Sequence, residues 1–198
     1  MTRDLRVCFI GDSFVAGTGD PEHLGWPGRL AARTHEGEAL SCYNLGVRRE
    51  TSQQVLDRWE NEVSARLPAG VDGRIVVSFG VNDMTIECGQ QRVATLESAE
   101  NLRTLIRGAR SRGWPVMVVG PPPIPDASHN ARSAELDEHM RRVCLEEGTT
   151  FISVLSALTS SPVWRRQVAM GDGAHPAADG YAVLADLVFP HWQKWLQA

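Results

Sequence analysis

The sequence predicts an α/β protein: a three-layer α/β/α sandwich on a doubly wound parallel sheet of about five strands. Two observations carry this. Short β-rich apolar runs recur at starts about 35 to 40 residues apart, the length that a strand, a crossover helix and two loops require. Amphipathic helical stripes fill the intervals, and the strands are apolar throughout, as buried parallel strands are. The 198 residues, 42% hydrophobic and 22% charged, suit one globular domain spanning 1–198, large enough to fold without disulfides or a structural metal.

In chain order, the first strand is expected over Leu5 to Ile10. A short helix starts at Pro27, a residue suited to the first helical position, and runs through Leu30. Leu40 to Leu45 forms the second strand. Thr51 and Gln54 make a capping-box pair ahead of Val55, Trp59, Val63 and Leu67, and Pro68 ends that helix. The third strand covers Arg74 to Phe79. Leu96, Ala99, Leu102, Ile106 and Ala109 form the next apolar stripe, closed by Gly113. Pro115 to Val119 follows as a strand, then Leu136, Met140, Val143 and Cys144 as a helix closed by Gly148. A weaker strand is read around Thr150 to Val154. The last helix begins near Pro176 and passes Tyr181, Leu184 and Val188 before Pro190 kinks or breaks it.

Charge removes several function classes. The balance of 20 basic against 24 acidic residues gives −4, the wrong sign for a nucleic-acid platform. The single lysine, Lys194, lies near the end, where it serves neither a Schiff-base enzyme nor a P-loop NTPase nor a kinase. Cys8, Cys42, Cys88 and Cys144 show no zinc spacing and read as free thiols, the first two inside strands that look buried. No signal-type or membrane-spanning apolar run is present in the sequence, so a cytoplasmic location without an integral membrane segment is expected.

In doubly wound sheets ligands bind beyond the carboxyl ends of the strands. Gly11, Asp12, Ser13 and Phe14 follow the first strand, Asn44, Leu45 and Gly46 the second, and Gly80, Val81, Asn82 and Asp83 the third. Asp172, Gly173, Ala174, His175 and Pro176 precede the last helix. An Asp and a His three apart in a turn bring a carboxylate within reach of Nδ1–H. A serine becomes a useful nucleophile only when a base takes its proton, and His175, oriented by Asp172, is the histidine this topology brings toward Ser13. Gly46, through its backbone N–H, and Asn82, through its side-chain amide, suit the stabilisation of an oxyanion. A plain turn glycine and an Asx-turn are the alternatives for these two.

The blocks GDSF at 11–14, NLG around Gly46, GVND at 80–83 and DGAHP at 172–176 resemble, in order and spacing, the SGNH hydrolases, also called GDSL-type esterases and lipases. The resemblance implies a flavodoxin-like α/β/α fold and a serine ester hydrolase acting on a small acyl ester. It implies Ser13 as nucleophile and Asp172 and His175 as its triad partners, with Ser13 N–H, Gly46 N–H and the Asn82 amide forming the oxyanion hole. No cofactor or metal is implied. Phe14 stands where the family name has Leu, and no GxSxG elbow surrounds Ser13.

Two further readings stay open at this point. Asp12, Asp83, Asp172 and His175 suit a metal-dependent phosphohydrolase, although Asp12 and Asp83 also suit the holding of turns. A non-catalytic module binding a small ligand is the other. Arg48 and Arg49 read as an anion clamp or a solvated pair. Trp26, Val163, Trp164 and Met170 read as an acyl pocket or as core. His23, His35, His139 and His191 show no partner pattern, and His129 is placed in the long loop after the triple proline.

Overall fold

The computed structural model describes residues 3–34 and 39–198. Its elements run β1 (Asp4–Gly11), α1 (Ser13–Ala16), α2 (Gly25–Arg33), β2 (Ala39–Gly46), α3 (Ser52–Ser64) and β3 (Asp72–Ser78). A small antiparallel hairpin, β4 (Ile86–Glu87) and β5 (Gln90–Gln91), precedes α4 (Thr95–Ser111) and β6 (Val116–Val119). The chain continues through α5 (Ala127–Glu146), β7 (Thr150–Ile152), α6 (Leu155–Ser160), α7 (Pro162–Met170) and α8 (Ala178–Gln197).

The sheet order is β2-β1-β3-β6-β7, and every pairing in it is parallel. Side chains alternate between the faces of a strand, so each strand feeds two cores. Val7, Phe9, Val76, Met117 and Val119 pack on one face with Trp26, Trp164, Tyr181 and Trp192 from the α2, α7 and α8 layer. Cys8, Ile10, Ile75, Val77 and Val118 pack on the other with Val55, Trp59, Leu102 and Met140 from α3, α4 and α5. The three layers are those expected. Because β1 lies between β2 and β3, its carboxyl end is the point where the winding reverses.

The capping box forms as read: Thr51 accepts from Gln54 N–H while the Gln54 side chain accepts from Thr51 N–H. Several local expectations change. Leu96 is 67% exposed, and buried Leu105 joins the α4 core face. α2 begins at Gly25 rather than Pro27. α8 begins after Ala177, leaving Pro176 outside it, and continues through Pro190 because Val188, Trp192 and Trp195 stay buried on both sides. The loop expected after the fifth strand contains α6 and α7, and α5 starts early enough to include His129. Cys8 and Cys144 are buried, Cys42 is half-buried and Cys88 exposed. His35 lies outside the described residues. No helix among the described residues is long and apolar enough to cross a membrane.

Candidate active site

The site begins where β1 ends. Asp12 adopts an extended backbone and caps α1, its Oδ1 accepting Phe14 N–H at 2.9 Å. Ser13 thereby becomes the first residue of a one-turn helix, where its own N–H has no intrahelical acceptor. Its hydroxyl donates to His175 Nε2 at 2.8 Å, a contact between residues 162 positions apart.

The DGAHP segment folds around its own aspartate. Asp172 Oδ1 accepts Ala174 N–H at 2.9 Å and His175 N–H at 2.8 Å, and Oδ2 accepts His175 Nδ1–H at 2.7 Å. That proton on Nδ1 leaves Nε2 as the acceptor facing Ser13. Burial pushes the Asp172 carboxyl up, but the His175 and Ala174 donors outweigh it and hold the group at about 2. Phe14 packs against the imidazole at 4.7 Å between ring centroids and stacks on Trp164 at 6.2 Å. These contacts fix the ring from the apolar side.

Asn82 reaches the same edge from the turn after β3. Its Nδ2 donates to Glu50 O at 2.9 Å, and the second hydrogen has only a long contact, 3.4 Å, to Asp12 Oδ2. Asp83 is occupied elsewhere: Oδ1 accepts Ser52 N–H at 2.8 Å and Oδ2 accepts the Ser98 hydroxyl. It ties the turn to the starts of α3 and α4. Asp12 and Asp83 therefore hold turns, though Asp83 does so across the fold rather than locally. Among the described residues no group of three or more His, Cys, Asp and Glu could hold a metal ion, so Asp12, Asp83, Asp172 and His175 do not make one donor set.

The Gly46 N–H is already engaged in the structure. It donates to Asn44 Oδ1 at 3.0 Å, while Asn44 Nδ2 donates to Val15 O at 2.7 Å. A Cβ at Gly46 would sit 2.1 Å from Ala16 N, so this glycine lets α1 cross the end of β2. Gly46→Ala is expected to destabilise by about 1–3 kcal/mol or more, measured by thermal melting. A melting temperature equal to that of the parent would contradict this packing role.

Asp12 makes a second prediction. Burial, reinforced by the charges of Asp83 and Glu50, pushes its carboxyl up to about 7 against the Phe14 N–H bond. In the unfolded chain an aspartate titrates near ~3.9, so between these values the folded state binds more protons. Stability therefore falls as pH rises through that window. Asp12→Asn keeps an acceptor for the cap and removes this contribution. Its gain in melting temperature over the parent should grow from pH 4 to pH 8; parallel curves would contradict the buried-acid reading.

The remaining residues fall into place individually. Arg48 is exposed; Arg49 is 82% exposed at its side chain and faces Glu87 at 3.7 Å. Arg49 has φ 67°, a left-handed conformation costly for a residue with a Cβ. Trp26 is core, edge-on to Phe9. Trp164 lines a cavity of about 280 Å³ with Pro123, Ile124 and Val168, and its indole N–H donates to Pro123 O at 3.1 Å. Met170, 80% exposed, borders a cleft of about 350 Å³ beside His175, whereas Val163 is half-buried and lines neither. His23 and His191 are exposed and His139 is half-buried. His129 is buried in the first turn of α5 rather than set in a loop.

The chain matches the model of the GDSL-like lipase/acylhydrolase family over residues 9–183. It belongs to that family. The lipase/acylhydrolase from Enterococcus faecalis is similar in structure, with 24% identity, TM-score 0.74, and coverage of 96% of this chain and 95% of that one. A catalytic mutant of Axe2, an acetylxylan esterase from Geobacillus stearothermophilus, has 15% identity, TM-score 0.78, and coverage of 96% and 94%. An α/β hydrolase enzyme from the metagenome of Lake Arreo, Spain, has 21% identity, TM-score 0.75, and coverage of 96% and 95%. These likenesses show the fold. No curated protein matches the chain.

Proposed function

We propose that the 198 residues form one hydrolase domain that cleaves small acyl esters through an acyl-enzyme on Ser13. Ser13 Oγ attacks the ester carbonyl as His175 Nε2 takes its proton, and Asp172 stabilises the imidazolium that results. His175 then gives the proton to the departing alcohol. Water, activated by the same imidazole, attacks the acyl-enzyme and restores the serine.

The observation that carries this reading is the continuous Ser13–His175–Asp172 hydrogen-bond chain, with links of 2.8 and 2.7 Å. Ser13 N–H and the second hydrogen of the Asn82 amide are the oxyanion donors in this account. Gly46 drops out, because its N–H already serves Asn44. Arg49 takes its place: no acceptor among the described residues meets its N–H, and the adjoining Glu50 carbonyl holds the Asn82 amide.

p-Nitrophenyl acetate tests the reading. The protein should hydrolyse it equally well in excess chelator, lose that activity to a fluorophosphonate, and leave p-nitrophenyl phosphate intact. Loss of activity to the chelator with indifference to the fluorophosphonate would overturn the proposal in favour of metal-assisted chemistry. An inert protein that takes no fluorophosphonate label would overturn it in favour of a binding module.

A further inference from the structure

The turn carrying Asn82 is gripped from outside by α5. His129 Nε2–H donates to Val81 O at 2.8 Å, reaching across 48 positions, and Arg132 Nε donates to Met84 O at 2.9 Å. The two acceptors flank Asn82 and Asp83. A carbonyl only accepts, so the His129 proton is on Nε2, and Nδ1 is left to accept the Ser133 hydroxyl at 3.3 Å. Asp126 Oδ1 accepts His129 N–H at 2.8 Å, fixing the turn of α5 from which the ring projects. The Thr85 hydroxyl also donates to Val81 O, but at 3.4 Å, so the imidazole is the closer donor.

His129 is 2% exposed. An apolar side chain would fill that space without needing polar partners, yet both ring nitrogens are engaged, one of them on the carbonyl directly before Asn82. We propose that His129 is a positioning residue for ester hydrolysis, fixing through Val81 the backbone from which the Asn82 amide reaches the oxyanion. This rests on the reading of Asn82 given above. Burial pushes the imidazole below its usual range, which favours the neutral, single-tautomer ring that the two contacts require.

The test is a double-mutant comparison on p-nitrophenyl acetate, with melting temperatures measured alongside. His129→Leu should lower kcat roughly tenfold to a hundredfold through misplacement of Asn82, with KM within about twofold. His129→Gln, whose amide can donate to Val81 O, should recover most of the loss. In an Asn82→Ala background His129→Leu should lower kcat by less than about twofold, because the amide it positions is gone. A merely structural histidine would give the same fold-loss in both backgrounds, and that result overturns the proposal. Should His129→Leu not fold, Ser133→Ala, which removes only the partner of Nδ1, takes its place with a smaller loss under the same criterion. Unchanged kcat in His129→Leu, while Ser13→Ala is inactive, overturns this inference alone; turnover surviving in Ser13→Ala overturns the reading beneath it as well.

Discussion

Ser13→Ala and His175→Ala are each expected to lower kcat for p-nitrophenyl acetate by about 10⁴-fold or more, and combining them should add little. The effects should not add, because in the proposed mechanism the two groups act as one unit. Without the imidazole the hydroxyl keeps its proton, and without the hydroxyl the imidazole has no nucleophile to activate. Asp172→Asn should cost a comparable factor of about 10⁴ by favouring the wrong tautomer. It would also replace the carboxylate that accepts the Ala174 and His175 backbone N–H groups. Asp172 stays ionised down to about pH 2, so its titration contributes nothing to any pH dependence of activity between pH 7 and pH 4. Its contribution to stability is present above the unfolded value of ~3.9 and is lost only as pH falls from there toward 2. Steady-state kinetics with thermal melts separates catalytic loss from unfolding. Variants that keep more than about a tenth of parental kcat would contradict these roles.

The second large effect belongs to Asn82. Asn82→Ala should reduce kcat by about 10²–10³-fold, the range for loss of one oxyanion donor, with KM little changed. The side chain also holds Glu50 O at 2.9 Å, so part of the loss will come from the loop bearing Arg49. Asn82→Asp removes both contributions without opening space. It keeps the size of the side chain but can donate to neither Glu50 O nor an oxyanion, and it sets a carboxylate beside buried Asp12. It should be at least as inactive as Asn82→Ala; a KM effect with kcat preserved would instead assign Asn82 to substrate binding.

The central strands are legible in the sequence because each is a short apolar run that must satisfy two cores at once, as Cys8 and Ile10 do on one face and Val7 and Phe9 on the other. The DGAHP segment is legible because its hydrogen bonds are local, from residue 172 to residues 174 and 175. What escapes is non-local or weakly patterned. α6 and α7 are short and separated only at Ser161, too brief to show a helical period. The hairpin of β4 and β5 carries an Ile86 that is 46% exposed and so lacks the alternation of a half-buried strand. Gly46 looks like a site glycine because its neighbour in space, the Ala16 backbone, comes from a different element. Arg49 gives no sign of a left-handed backbone, since that conformation is expected of glycine or asparagine. His129 reads as loop because the polar start of α5 has no apolar stripe and the tie to Val81 spans 48 residues.

One measurement bears most directly on the meeting of hydroxyl and imidazole at the end of β1. The protein is incubated with a fluorophosphonate, digested, and its peptides are sequenced by mass spectrometry. A single phosphonyl adduct on Ser13, absent in Ser13→Ala and formed far more slowly in His175→Ala, is the predicted result. An adduct on any other residue, or none on a protein that still hydrolyses p-nitrophenyl acetate, would contradict the account.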